Sequence, residues 1–306
     1  MNISILYGGD SAERKISMQT GLAVAGAIHK NYSLDLINPS ENYLSLPNRL
    51  LGSDLVFNAL HGGNGENGNI QSFLEIYNFN YTGSGSKASK IAMDKHITKM
   101  LAKSNGINTP NWILIKYKKD ISMSLENKES KKFSYPYIVK PSNEGSTFGL
   151  TLVENEKELE GAIELAAKFS NEILIEEYIE GRELTVSILG NKPLPIVEIK
   201  PKNKIYDFEC KYTSGMTDYI VPADISDSLT REISNEAVSI FKAIGCRHYG
   251  RVDFRLDKDN NPFLLEVNTL PGLTEHSLFP KAAEIAGLSF TDLIDTIIGI
   301  ARLDNG

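Results

Sequence analysis

Two carboxylates, an arginine and an amide stand at alternate positions of the run GRVDFRLDKDNNPFLLEVN, residues 250–268, in two apolar-alternating segments around a turn-rich centre, DKDNN. The pattern predicts a β-hairpin. A turn centred between Asp259 and Asn260 sets Asp253 opposite Glu266 and Arg251 opposite Asn268, and the two-residue period of a strand puts all four on one face. Asp253, Glu266 and Asn268 then converge as oxygen ligands of the kind magnesium takes, with phosphate oxygens and water completing the shell. Taken singly, each acid is better read as half of an ordinary salt bridge on a half-exposed strand. Four polar groups on one face, with apolar residues on the other, point to a metal.

Lys140 is the second candidate, at a strand end before the loop PSNEGSTFG. Backbone N–H groups and a lysine can cradle phosphates in such a loop, although glycine-serine loops are usually plain turns and the order is not that of a P-loop. Lys95, near the start of a helix capped by Asp94, is a second phosphate contact, against the ordinary reading of a solvated helical lysine. ILIEEYI, residues 173–179, is a strand leaving a lobe boundary, with Glu183 following in GRELTV. A strand that links lobes offers backbone groups to an adenine edge, and Glu183 reaches toward ribose hydroxyls; an edge strand with exposed acids explains the pattern equally well. HGGNGENG, residues 61–68, follows a buried strand, where an open α/β sheet places its ligands. Glu13, in the loop after the first strand, lies at the same edge, placed to meet an ammonium group. His61 either lines this cleft or is satisfied within its own loop, and His29, His96 and His248 are read as structural. The loop after the first strand, GGDSAER, is not the GxGxxG dinucleotide fingerprint, which rejects a hydride-transfer reading.

These groups need a framework of several lobes, the expectation for 306 residues. Strand, glycine turn and helix alternate over the first ninety or so residues, with strands at Ile3–Leu6, Leu34–Ile37 and Leu55–Leu60 and a helix over Asn69–Tyr77, as in a parallel α/β sheet. Gly83–Ser86 reads as a loose connection. The helix after Asp94 carries Ile97, Met100 and Leu101 on one face and stops at Gly106. Lys116–Lys132 reads as an exposed polar excursion, and Asn155 with Glu158 as a capping-box-like helix start. A long polar loop spans Pro201–Asp218, a helix runs from about Leu229 to Ile244, and LSFTDLIDTIIGIARL closes the chain as an amphipathic helix. The expected domains are 1–91, 92–174 and 175–306.

A net charge of −7 without a basic stripe argues against nucleic acid as a partner. Cys210 and Cys246 are too few for a disulfide framework and fit a reducing cytoplasm, and no span of about twenty apolar residues suggests a membrane anchor.

HGGNGENGNIQ and GRVDFRLDKDNNPFLLEVNTLPG resemble the two signatures of the D-alanine–D-alanine ligases. GGDSAER, YTGSG, MDK, KPSNEGST, LIEEYIEGRELTV and KYTSGMTDYIVPA follow in the family's order, so the resemblance runs over essentially the whole chain. It implies an α/β and α+β architecture, the ATP-grasp fold with an amino-terminal parallel α/β domain, and a cytoplasmic, usually homodimeric enzyme using ATP and two magnesium ions, with manganese as a substitute. Lys95, Lys140 and the Ser146 loop would contact the phosphates, Glu176, Glu177 and Ile179 the adenine, and Glu183 the ribose. Asp253, Glu266 and Asn268 would hold the ions. Glu13 would bind the ammonium of the first D-alanine, linked through Ser146 and Tyr212 to the Pro201–Asp218 loop, with His61 on the substrate side. Lys211, Ser277 and the Leu278 backbone would hold the second carboxylate, and Arg251 with the Gly272 N–H would stabilise the tetrahedral oxyanion. Thr147, Asn67 and Leu273 depart from residues frequent in the family, at none of these roles. D-alanine–D-lactate and D-alanine–D-serine ligases are the nearest rivals, and Tyr212 favours the dipeptide over the lactate product. Other ATP-grasp ligases lack the HGGNGENG run, and a catalytically dead nucleotide-binding module would not keep Lys140, Arg251, Asp253, Glu266 and Asn268 together.

Overall fold

The computed structural model describes residues 1–117, 134–145, 147–206, 210, 213 and 215–304. Ile3, Ile5 and Leu6 are all buried, the burial on both faces that a central parallel strand requires. This strand, β1 (Asn2–Leu6), is followed by α1 (Arg14–Ala27), β2 (Ser33–Ile37), α2 (Leu46–Leu50), β3 (Leu55–Asn58) and α3 (Asn69–Ile76). The three strands form a parallel sheet in the order β2-β1-β3. The loops after β1 and β3 therefore leave the same edge, bringing Glu13 and His61 together.

The Gly83–Ser86 run leads directly into a helix, α4 (Ser86–Met93), rather than into a plain connection. Its small residues Ala88 and Ala92 pack closely on the core. Asp94 caps the next helix, α5 (Lys95–Ser104), by accepting the Ile97 N–H at 3.1 Å. The expected apolar face of α5 is corrected here: Ile97 and Met100 are exposed and Leu101 half-buried, whereas Lys95, Thr98, Lys99 and Ala102 are buried. Local periodicity failed because the face turned inward carries lysines whose partners come from distant strands.

A four-stranded antiparallel sheet, β4-β7-β5-β6, is built from β4 (Trp112–Lys116), β5 (Tyr137–Pro141), β6 (Thr151–Val153) and β7 (Glu172–Glu177). One helix, α6 (Glu156–Ala167), covers it through Leu159, Ile163 and Ala166. Asn155 accepts the Lys157 N–H, while Glu158 reaches back to the Glu154 N–H, so the cap is one residue out of the reciprocal box. Most of the expected excursion at 116–132 lies outside the described residues.

The larger sheet runs β11-β10-β8-β12-β13, with β9 beside β8. Its strands are β8 (Gly181–Leu189), β9 (Lys192–Pro193), β10 (Val197–Pro201), β11 (Thr217–Ile220), β12 (Tyr249–Asp257) and β13 (Pro262–Asn268), and α7 (Asp227–Ile244) lies between β11 and β12 in sequence. One face, with Leu184, Val186, Val252, Phe254, Leu256 and Leu264, packs on α4, α5 and α7. The other carries Glu183, Thr185, Arg251, Asp253 and Arg255 toward the small sheet. Helices α8 (Leu278–Ile285) and α9 (Phe290–Leu303) close the fold, α9 capped by the reciprocal Ser289–Asp292 box and packed with α1 and β3 into a core shared by the first and last lobes. Among the described residues no helix is long and apolar enough to cross a membrane.

Phe254 is fully buried behind the polar face of β12. Phe254→Ala is expected to lose about 3–5 kcal/mol of stability, read from the urea midpoint; a loss below about 1 kcal/mol would mean that this core does not hold the strand.

Candidate functional site

The hairpin pairs Arg251 with Asn268 and Asp253 with Glu266, as the alternation predicts, but by a different route. Leu256 pairs with Pro262, so the turn is centred on Asp259, and a bulge at Leu265 makes up the one-residue difference. A bulge sets two consecutive residues against one. Leu265 and Glu266 both line the cleft, while Leu264 and Val267 stay in the core.

Charges on this face are already matched. Arg251 grips Asp253 through two bonds of 2.9 Å, and the Thr185 hydroxyl donates to the same carboxylate at 2.5 Å. Burial works against the Arg251 cation, but Asp253 outweighs it and holds the guanidinium pKa above its usual value. Lys95 Nζ lies 3.3 Å from Glu266 Oε2 and donates to the Glu144 carbonyl at 2.6 Å, bridging the hairpin to the loop after β5. Asn268 Oδ1 accepts the Leu270 N–H. Among the described residues no three His, Cys, Asp or Glu side chains group as a metal cluster. Two carboxylates and an amide, each acid beside a fixed cation, fit a hard ion that arrives with a polyphosphate supplying the remaining oxygens.

The roof opposite this floor is a buried triad. Lys140 and Glu176 stand diagonally on β5 and β7, Lys140 Nζ 2.5 Å from Glu176 Oε1, and Lys99 Nζ lies 2.9 Å from Oε2. Lys99, missed in the sequence, is fully buried and also donates to Thr109 Oγ1, which donates to the Leu264 carbonyl of β13. The available signal was its spacing of four from Lys95, which puts both lysines on one side of α5. Burial, partly offset by Glu176, pushes the Lys99 ammonium down to about 8. Burial pushes the Glu176 carboxyl up, but Lys140 and Lys99 overcome it and hold its pKa below the usual value. Glu177 accepts from the Asn111 amide, and Glu183 accepts from Arg255, a second missed residue. Ile179 offers its carbonyl to the same arginine. Lys140, Glu176, Glu177, Ile179, Glu183 and Arg255 line one slot between the two sheets, with Lys99 fully buried beside Glu176.

A second cavity lies under the first lobe. Glu13, His61 and Glu66 line it on one side, and Arg251, Asn268, Gly272, Ser277 and Leu278 on the other. His61 meets both of its readings: it lines the cavity while Nε2 pairs with Thr20 and Nδ1 with Glu66. Gly62 has φ of +68°, and a Cβ there would sit 2.9 Å from Glu13 Oε1, so the turn admits no side chain. A Cβ at Gly145 would lie 3.4 Å from Glu13 Oε1 and 3.6 Å from Glu66 Oε2, which brings the loop after β5 against both acids. Ser277 Oγ accepts the Thr274 N–H beside Gly272 at the start of α8. Ser146, Lys211 and Tyr212 lie outside the described residues. Tyr206, also missed, shares a hydrogen bond with Tyr219 and borders both cavities. The cavities meet at Lys95, Tyr206, Arg251 and Glu266.

Glu176→Gln leaves Lys99 and Lys140 to share a neutral amide. It is expected to cost about 3–5 kcal/mol near neutral pH. The Lys99 pKa near 8 lies below its unfolded value, so above pH 8 the wild-type fold binds fewer protons than the unfolded chain and gains from Lys99 deprotonation. Without the Glu176 carboxylate Lys99 sheds its proton at a lower pH than in the wild type, so the variant gains this stability first. The cost of the substitution therefore shrinks as pH rises toward about 8 and levels off above it, measurable by denaturant titration at pH 7 and pH 9.5; a pH-independent cost would contradict the triad.

Two family models match the chain: the D-ala D-ala ligase N-terminus over residues 39–84 and the D-ala D-ala ligase C-terminus over residues 101–299. The chain is 42% identical to a D-alanine--D-alanine ligase of Pelotomaculum thermopropionicum, covering 100% of this chain and 98% of that one. It is 44% identical to that of Aquifex aeolicus, covering 97% and 100%. The ligase of Bacillus anthracis, solved in complex with ATP, superposes with a TM-score of 0.87 at 33% identity over 100% of both chains. A D-Ala:D-Ser ligase of Enterococcus faecalis superposes with a TM-score of 0.83 at 30% identity, over 98% and 99%. Similarity at these levels over the whole chain, on a fold with an amino-terminal parallel sheet and two sheets enclosing a charged slot, makes the protein a member of the D-alanine–D-alanine ligase family.

Proposed function

We propose that this chain joins two D-alanine molecules at the expense of ATP, through a D-alanyl phosphate, to give D-alanyl-D-alanine for peptidoglycan synthesis. The observation that carries the reading is the meeting of two cavities, a slot between sheets and a cavity walled by acids and a helix N-terminus, at Lys95, Arg251 and Glu266. Such a junction lets a phosphoryl group pass from a nucleotide on one side to a carboxylate on the other.

A carboxylate is a poor electrophile, and its phosphorylation creates a leaving group without any protein nucleophile. Catalysis then rests on positioning and on charges fixed in advance. In this allocation Lys95, Lys140 and Ser146 hold the phosphates, Glu176, Glu177 and Ile179 the adenine, and Glu183 the ribose. Asp253, Glu266 and Asn268 would hold two magnesium ions, replaceable by manganese, which neutralise charge on the transferring phosphoryl group. Glu13 receives the first ammonium, and His61, held by Thr20 and Glu66, keeps that wall in place. Ser277 and the Leu278 N–H at the start of α8, with Lys211, receive the second carboxylate. Arg251 and the Gly272 N–H stabilise the oxyanion of the tetrahedral intermediate, and Ser146 and Tyr212 tie the Pro201–Asp218 loop to Glu13, excluding water from a hydrolysable acyl phosphate. A homodimer in the cytoplasm completes the proposal.

The Enterococcus faecalis neighbour keeps D-serine open at the second position, because the fold is common to both. A coupled ADP-release assay with D-alanine alone, and with D-alanine plus D-serine or D-lactate, decides: turnover on D-alanine alone is expected, and turnover only with the mixed pairs would overturn the assignment. Arg251→Met is expected to lower kcat about 10²–10³-fold, the range for removing one oxyanion donor. A kcat within threefold of wild type would remove Arg251 from the reaction.

A further inference from the structure

Residues 178–180 form a strap between β7 of the small sheet and β8 of the large one. Arg255 reaches this strap from β12. Its Nε donates to the Ile179 carbonyl at 3.1 Å and Nη2 to the Gly181 carbonyl at 3.1 Å and to Tyr178 Oη at 3.3 Å, while Nη1 donates to Glu183 at 3.3 Å. The guanidinium lies 5.4 Å from the centroid of the Tyr178 ring. Tyr178 Oη in turn donates to the Lys204 carbonyl at 3.2 Å, at the root of the loop after β10. Gly181 closes the strap with φ of +149°, where a Cβ would lie 2.0 Å from the Leu256 carbonyl oxygen, so the chain enters β8 pressed against the residue next to Arg255. One planar fork thus serves two carbonyls, a hydroxyl and a carboxylate at once, which an ammonium on a flexible stem cannot reproduce.

We propose that Arg255 is a positioning residue for the nucleotide: it sets the strap backbone and the Glu183 carboxylate in the slot and, through Tyr178, anchors the following loop at Lys204. The inference rests on the nucleotide reading above. A cationic side chain buried at the slot wall adds nothing to the hydrophobic core, and the groups it holds, Ile179 and Glu183, border the slot themselves. Its effect therefore falls on nucleotide affinity, with the chemistry between Lys95, Arg251 and Glu266 left intact.

The test uses the full-length protein with Arg255→Lys, Arg255→Met and Tyr178→Phe. Calorimetry gives the affinity for a non-hydrolysable ATP analogue, steady-state assays give KM and kcat, and thermal unfolding accompanies both. Both Arg255 variants are expected to weaken analogue binding at least tenfold and to raise the KM for ATP in parallel, with kcat at saturating ATP falling less than threefold. Lysine should fail to rescue, because geometry and not charge is lost. Tyr178→Phe, which deletes a single hydroxyl, should weaken binding three- to fivefold at an unchanged Tm. Wild-type analogue affinity in Arg255→Lys and Tyr178→Phe, or a defect confined to kcat, overturns the proposal. Failure of the wild-type protein itself to bind the analogue overturns the nucleotide reading on which it stands.

Discussion

An ion moved out of water into a protein interior costs several kcal/mol unless it meets an opposite charge with its hydrogen bonds satisfied. The slot between the two sheets and the core beside it gather Lys95, Lys99, Lys140, Arg251 and Arg255 with Glu176, Glu183, Asp253 and Glu266, all largely buried except the partly exposed Glu266. Their pairing dictates much of the surrounding architecture. Lys99 and Lys140 share Glu176, which binds α5 and β5 to β7; Lys95 with Glu266 binds α5 to β13; Arg255 with Glu183 binds β12 to β8. The helix must turn its lysines inward and leave Ile97 and Met100 to solvent, and the small sheet must close over the large one at the distance the lysine stems allow. Specific placement, more than net stability, is what such buried pairs supply.

That placement suits the proposed chemistry because the cations are fixed before any ligand arrives. In water, most of the cost of stabilising a developing charge lies in reorienting solvent, whereas dipoles and ions held by a fold need no reorientation. Arg251 and Lys95 are held by acids on the same hairpin that is proposed to carry the metal. A polyphosphate entering with its cations can take over the acids and receive the lysine and arginine, leaving no charge alone at any stage. Had either acid been absent, the matching cation would have been costly to bury in the empty enzyme; had either cation been absent, the acids would repel one another.

How much of this was legible follows the range of the forces involved. The hairpin, its polar face and the pairs Asp253–Glu266 and Arg251–Asn268 were read from alternation alone, since a two-residue period is a local property. The bulge at Leu265 was not, because Leu264 and Leu265 are alike in type and only the core behind β13 decides which is buried. The inward face of α5 misled for the same reason: apolar periodicity favours Ile97 and Met100, and nothing near them announces Glu176, which follows Lys99 by 77 residues and lies beside it in space. Arg255 sat in full view on the face already singled out, two residues beyond Asp253. It was passed over because two of its four partners are backbone carbonyls, of Ile179 and Gly181, which carry no signal in side-chain identity, and the other two, Tyr178 and Glu183, lie more than 70 residues away in sequence. The glycine loops were legible as a cleft edge, yet His61 proved to satisfy both readings, since a side chain can be fully hydrogen-bonded and still form a wall.

The second cavity is polarised along one direction. Glu13 and Glu66 stand on the side of the first lobe, and Arg251, Lys95 and the N-terminus of α8 on the other. In the proposed reaction the first amino acid, a zwitterion, takes one favourable orientation in this field, ammonium toward the acids and carboxylate toward Lys95 and Arg251, with the helix end left for the second carboxylate. Only in that orientation does a carboxylate oxygen face the junction with the slot. In the same proposal a first substrate without an ammonium group is disfavoured, because burial and the neighbouring Glu66 already push the Glu144 pKa up against the pull of Lys95. At the acid wall the requirement is therefore for the charge pattern of an amino acid. Ile16 and Leu270 border the same cavity and offer apolar surface to a small side chain.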